Sequence, residues 1–123
     1  MRQTLIIKGR LPGLNEYIQA NRTNRYAGAK MKRDTQSKIW ADIAETALPM
    51  KGKVRLNFRW YEPNKKRDLD NCSYAKKFIL DTLVDHKIIE ADDWRGVEGF
   101  TDSFYVDKDE PRIEVDIEEV STA

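Results

Sequence analysis

The stretch "KGKVRLNFRWYE", Lys51 to Glu62, alternates Val54, Leu56, Phe58 and Trp60 with Lys53, Arg55, Asn57 and Arg59. Successive strand side chains point to opposite faces, so this pattern predicts a half-buried strand, apolar on one side and basic on the other. Such a strand needs a layer over its apolar face. On the N-terminal side, residues 30–48 supply one. Ile39, Trp40, Ile43, Ala44, Ala47 and Leu48 recur at helical spacing, and Pro49 stops the run. On the C-terminal side, Cys72, Ala75, Phe78, Ile79, Thr82 and Leu83 form the inner stripe of a second helix, from about Asn71 to Val84.

Further out, "RQTLIIKGRL" reads as a strand that "PGLN" (Pro12 to Asn15) breaks. "RGVEGFTDSFYVD" and "PRIEVDIEEV" read as two more strands joined by a "DKDEP" turn, after a turn region at "DHKIIEADD". The 123 residues therefore predict one domain, 1–123, of the α+β class: a mixed four-stranded sheet with two helices packed on it, in the order β-α-β-α-β-β. Residues 14–29, with little apolar content, read as a long irregular segment.

Charge is divided along the chain. Residues 1–89 hold 19 Lys and Arg against 9 Asp and Glu, and residues 90–123 hold 3 against 12. A basic majority segment suits a polyanion. The acidic remainder is either a solvated strand face or a partial neutraliser of the basic part. No apolar run approaches the ~20 residues of a membrane span. A single cysteine, Cys72, allows no intrachain disulfide and suits a cytoplasmic setting; its place on the inner helix stripe makes it a small core residue.

Between the central strand and the second helix lies "KKRDLDN", Lys65 to Asn71. If "RDLD" is extended, Leu69 turns inward and Asp68 and Asp70 project to the same side. Two readings then stand. One is helix capping, with Asp70 at the N-cap position, and solvation. The other is a carboxylate pair holding a hard divalent metal, with Lys65, Lys66 and Arg67 on phosphates and a third acid drawn from "EADD". Arg22, Arg25, Lys30, Lys32 and Arg33 surround Tyr26 with little opposing charge; they read as a phosphate-gripping arm, mobile without DNA. His86 reads as surface decoration of a turn, Trp40, Trp60 and Phe58 as core, and Trp94 either as packing under the acids or as a dimer contact.

"RDLDN", followed by "KKFILDTL" and "DD", resembles the RusA family of Holliday junction resolvases, and "LPGLNEY" looks like that family's Pro-x-x-Asn element. The resemblance implies a homodimeric, Mg²⁺-dependent endonuclease that resolves four-way DNA junctions by paired nicks, with no small-molecule cofactor. It maps the essential acids to Asp68, Asp70 and one of the "DD" pair, Asp93 first and Asp92 second, and Asn71 to the family's Asn. The family's functional Lys would fall on Tyr74 when counted from the second acid and on Lys77 when counted back from "DTL". An insertion near "CSY" reconciles the two counts. Lys77 takes the role, with Lys76 as runner-up; on DNA, Lys76 joins the basic cluster. The alternative is a non-catalytic nucleic-acid-binding module using the arm and the basic strand face.

Overall fold

The computed structural model describes residues 1–120. Its elements are β1 (Arg2–Lys8), α1 (Leu14–Thr23), α2 (Arg25–Ile43), β2 (Val54–Glu62), α3 (Leu69–Ser73), α4 (Lys76–Asp85), β3 (Val97–Val106) and β4 (Arg112–Glu119). The class is α+β, with a four-stranded mixed sheet in the order β1-β4-β2-β3. β4 is antiparallel to both β1 and β2, whereas β3 runs parallel to β2. The helices differ from the sequence expectation, because four form among the described residues instead of two.

Residues 14–29 are not irregular. α1 ends at Thr23, and Asn24 starts α2 at once, its side chain accepting from the N–H groups of Tyr26 and Ala27. This is an N-cap satisfying two orphan donors. The polar composition that suggested a loop is the solvated outer surface of a helical hairpin. Its inner contact is close, for a Cβ on Gly28 would stand 2.0 Å from Asn21 Oδ1.

"DKDEP" does not close a hairpin. β3 and β4 lie on opposite sides of β2, and the connection crosses the end of that strand, where Asp107 N–H donates to Glu62 O at 2.8 Å. A direct turn would pair β4, largely buried, with the half-exposed β3. Inserting β2 between them instead gives the most apolar strand two neighbours.

The core lies on the helix side of the sheet. Leu5, Ile7, Val54, Leu56, Phe58, Trp60, Ile113, Val115 and Ile117 pack there against Ile39, Ile43, Phe78, Ile79 and Leu83. The opposite face of β2 and β4 is ionic. Arg59 donates to Glu114 Oε1 at 3.0 Å and to both oxygens of Asp116, which also accepts from Thr4 Oγ1 at 2.6 Å. Arg112 bonds Glu114 at 2.7 Å and Asp107 at 2.7 Å. The acidic C-terminal part thus neutralises the basic face of β2. That face is already occupied by protein, and Arg55 is paired with Glu98 as well.

The hydrogen bonds from Arg59 hold the buried Asp116 carboxyl below the usual carboxylate range. A carboxyl lowered in the folded state contributes stability that is complete above its unfolded value of ~4 and is lost as pH falls through the lowered native value. Replacing Arg59 by Met leaves Asp116 buried and charged. We expect a loss of about 3 kcal/mol at pH 7. The difference from wild type should shrink in urea melts taken at acid pH, as Asp116 protonates in the variant. A pH-independent difference would remove the ion pair as its cause.

Candidate functional site

The segment carrying Asp68 and Asp70 is tied down from the other end of the chain. Arg67, largely buried, donates to Leu11 O at 3.1 Å and pairs with Glu16 at 2.5 Å. Asn71 Oδ1 accepts from Asn15 N–H at 3.2 Å. Gly13 lies directly against Asn71, and only a glycine fits, because a Cβ there would stand 2.3 Å from Asn71 Oδ1 and 2.8 Å from its carbonyl oxygen. "LPGLNEY" and "RDLDN", more than 50 residues apart in sequence, therefore form one rigid unit. An aromatic cluster of Tyr17, Tyr74 and Phe78 continues the contact, with ring centroids 5.6 to 5.9 Å apart.

The local backbone differs from the extended "RDLD" of the sequence reading. Asp68 alone is extended and occupies the N-cap position, whereas Leu69 begins α3 and Asp70 is already helical. Leu69 is exposed and not turned into the core. The Asp68 carboxylate makes no capping hydrogen bond, and Asp70 accepts only from the adjacent Asn71 N–H at 3.0 Å. Among the described residues neither acid is in an ion pair. Capping by side chains therefore does not account for these two carboxylates.

The helix then breaks at Tyr74 and Ala75 before α4 begins. On α4, Lys77 Nζ lies 3.1 Å from Asp81 and 3.2 Å from Asp92. The hydrogen bonds that Lys77 donates to Asp81 and then to Asp92 raise its pKa, so it stays a cation at neutral pH. Asp81 also approaches Lys32 of α2 at 3.3 Å. Lys76, in contrast, is mostly buried. It pairs with Asp102 at 2.5 Å and lies 4.0 Å from the Phe100 ring centroid. Trp60 Nε1 donates to the same Asp102 at 2.9 Å.

The two acids of "DD" separate. Asp92 faces Lys77, whereas Asp93 turns to Arg95 at 2.8 Å, whose hydrogen bonds hold it below the usual carboxylate range. Among the described residues no three His, Cys, Asp or Glu side chains are gathered as a metal-ligating group, so Asp68, Asp70 and Asp93 do not converge. With Leu69 and Asp70 helical, strand alternation no longer sets Asp68 and Asp70 on one side, and a metal bound by either would take most of its ligands from water and substrate oxygens.

The nine cations expected on DNA sort into two groups. Arg22, Arg33, Lys65 and Lys66 are exposed, and none is in an ion pair among the described residues. Arg25 is also exposed and stacks on Tyr26, bonding its hydroxyl at 2.8 Å. Lys30 pairs only with solvent-exposed Asp34, a contact of little energy. Lys32, Arg67 and Lys76 are engaged with Asp81, Glu16 and Asp102, and the side chains of Arg67 and Lys76 are largely buried in those contacts.

His86, 46 residues from Trp40, stacks on it with centroids 3.8 Å apart, a pairing no local pattern signalled. Burial pushes the Cys72 thiol up to about 11, which leaves it inert as a nucleophile. Beside the acids, a cleft of about 590 Å³ opens between the 62–72 segment and the end of β3, lined by Arg67, Leu69, Cys72, Phe104 and Val106 among others. No protein-family model matches the chain, and no curated protein matches it. Among the described residues no helix is long and apolar enough to cross a membrane.

Gly13→Ala should cost about 1–3 kcal/mol, the price of overpacking a closed contact. Asn71→Ala should cost about 1 kcal/mol through the lost hydrogen bond. In urea melts the double variant should recover only part of the Gly13→Ala loss, because the main-chain oxygen of residue 71 remains in the way. Strict additivity would show that the two motifs are not in contact.

Proposed function

We propose that the protein is a Mg²⁺-dependent, structure-selective DNA endonuclease that nicks four-way junctions in pairs, acting as a two-fold dimer. The observation that carries the reading is the pair Asp68 and Asp70: exposed, free of ion pairs and capping bonds, and held on a segment that Arg67, Asn71 and Gly13 make rigid. Uncompensated carboxylates next to Lys65 and Lys66 are an arrangement that a metal and a phosphate together would neutralise. Two hard oxygen donors fit Mg²⁺, which keeps several waters and takes other ligands from substrate phosphate. They do not fit an all-protein cage.

Bound there, Mg²⁺ would polarise the scissile phosphate and lower the pKa of a bound water. The chain's own residues supply the rest. Asp68 and Asp70 would hold the metal. Lys77, kept protonated by Asp81 and Asp92, would offer positive charge where negative charge develops on the phosphoryl oxygens. Of the "DD" pair, Asp92 rather than Asp93 bears on this reading, through its contact with Lys77 and not as a third metal ligand. Arg22, Arg25, Lys30 and Arg33 on the helical hairpin, with Lys65 and Lys66, grip phosphates. The non-catalytic alternative keeps the hairpin but loses the basic strand face, because Arg55 and Arg59 are paired within the sheet.

The test is a synthetic four-way junction incubated with the protein in Mg²⁺ and in EDTA. We expect paired nicks with Mg²⁺ alone, and junction binding without nicking for Asp70→Asn. Lys77→Ala should lower the nicking rate by about 10²–10³ with little change in affinity. Lys76→Ala should act instead through stability, with a lower melting temperature. Metal-independent binding with no nicking under any condition would favour the binding module.

The hairpin gives a separate expectation. Replacing Arg22 and Arg25 with Ala should weaken binding to all junction sequences and reduce the log–log salt slope by roughly one unit per lost phosphate contact. Circular dichroism of the free protein should match the wild type, as both residues are exposed on formed helices. An unchanged salt slope would exclude this hairpin as the grip.

A further inference from the structure

β3 is an edge strand of ten residues, hydrogen-bonded only to β2. An open edge invites pairing with another chain, and monomeric proteins guard such edges with Lys, Pro or a covering element. The opposite edge of this sheet is guarded. Along β1, Lys8 N–H donates to Asp42 at 2.9 Å, Lys38 caps the Lys8 carbonyl, and Gln3 exchanges two hydrogen bonds with the main chain of Leu48. β3 has no such cover. "VEGFTDSFYV" contains no Lys, Arg or Pro, and its irregularity lies at one end, where the register to β2 shifts between Val54 and Arg55.

The same edge carries five of the ten large apolar side chains that are exposed among the described residues. Trp94, three residues before the strand, is 90% exposed. Phe100 is 48% exposed, Tyr105 46%, Val106 49%, and Leu69, across the cleft from the strand's end, 59%. With roughly 200 Å² per aromatic ring and somewhat less per aliphatic side chain, these five leave on the order of 500 Å² of apolar surface in water. A stable interface needs about 800 Å² per partner, and in homodimers about 65% of it is apolar. The open edge of β3, counting side chains on both of its faces and at its flanks, therefore has the area and composition of one half of a dimer seam.

We propose that β3 pairs antiparallel with β3 of a second copy of this chain, and that Trp94 of each copy fills the cleft of the other. The geometry is self-consistent. Trp94 stands at the start of the strand, and the cleft lined by Leu69, Phe104 and Val106 lies at its end. Antiparallel pairing about a two-fold axis brings the start of one strand to the end of its partner, so both copies satisfy the same contact. Charge does not oppose the pairing. The two acids of β3 are compensated within each chain, Glu98 by Arg55 at 2.7 Å and Asp102 by Lys76 at 2.5 Å. The seam deepens the dimer of the proposed resolvase and rests on that reading for its role on a junction. Its tests use neither DNA nor metal, so a failed nuclease and a failed seam give separate results.

The experiment is sedimentation equilibrium of the full chain up to about 100 µM, with tryptophan emission recorded across the same dilution series. Trp60 is buried and Trp40 is covered by His86, so a change on association reports Trp94. We expect a dimer mass and an emission maximum that moves to the blue as concentration rises. Trp94→Ala should weaken self-association by about 30-fold or more, the size of an interface hot spot, and abolish the shift while leaving the melting temperature of the monomer in place. Val106→Lys, at the other end of the strand, should weaken it too while Trp94 is retained. A monomer at the highest concentration overturns a second copy as the occupant. So does a dimer whose emission does not move, or one that both variants leave intact.

Discussion

Arg59 stands on the central strand between two carboxylates of its neighbour, Glu114 and Asp116, and the sheet is organised around that contact. β4 supplies the acids because it is inserted between β1 and β2, and only there does its outer face lie beside the basic face of β2. The buried Asp116 would be costly without Arg59 and Thr4, since a desolvated carboxylate must be paired or protonated. The ion cluster thus favours one strand order over the hairpin that chain proximity alone would suggest. It also disposes of most of the charge imbalance between the two parts of the chain.

A consequence follows for where a polyanion can bind. Lys51, Lys53, Lys87 and Lys108 are exposed elsewhere; with Arg55 and Arg59 paired inside the sheet, the cations of the expected DNA-binding set left to solvent are on the α1–α2 hairpin and at Lys65 and Lys66. These lie on elements that pack against one another: Arg67 and Asn71 on one side are bonded to Leu11, Asn15 and Glu16 on the other. Asp68 and Asp70 sit on the same rigid unit. Preorganisation of this kind is what phosphoryl chemistry requires, because misplacing a ligand or a cation by even ~1 Å is expensive in rate.

The two edges of the sheet are treated unequally. Asp42 and Lys38 of α2 cover the main chain of β1 at Lys8, the Gln3 side chain holds the main chain of Leu48 beside it, and among the described residues nothing covers β3. Protein sheets do not leave a long, apolar edge open without consequence. The exposed indole of Trp94 and the apolar cleft at the far end of the strand belong to the same unfinished surface.

The sequence by itself determined the class and most of the core. The alternation over Val54 to Trp60 and the stripe from Ala75 to Leu83 read correctly as strand and helix, because the period of apolar residues follows local geometry. Asp68, Asp70, Lys77 and the hairpin arginines were legible as candidates because charge and spacing are local as well. What tertiary structure decided was partnership. The polar 14–29 segment is helical because Gly28 packs on Asn21 and Asn24 caps the next helix, neither of which hydropathy detects. Arg67 and Lys76 looked like ligand-binding cations but are consumed by Glu16 and Asp102, residues 51 and 26 positions away. Asp92 and Asp93 are adjacent in sequence yet face different cations, Lys77 and Arg95. Each of these outcomes depends on distances between residues far apart in the chain, and an ion pair or a close packing contact is set by those distances and not by composition.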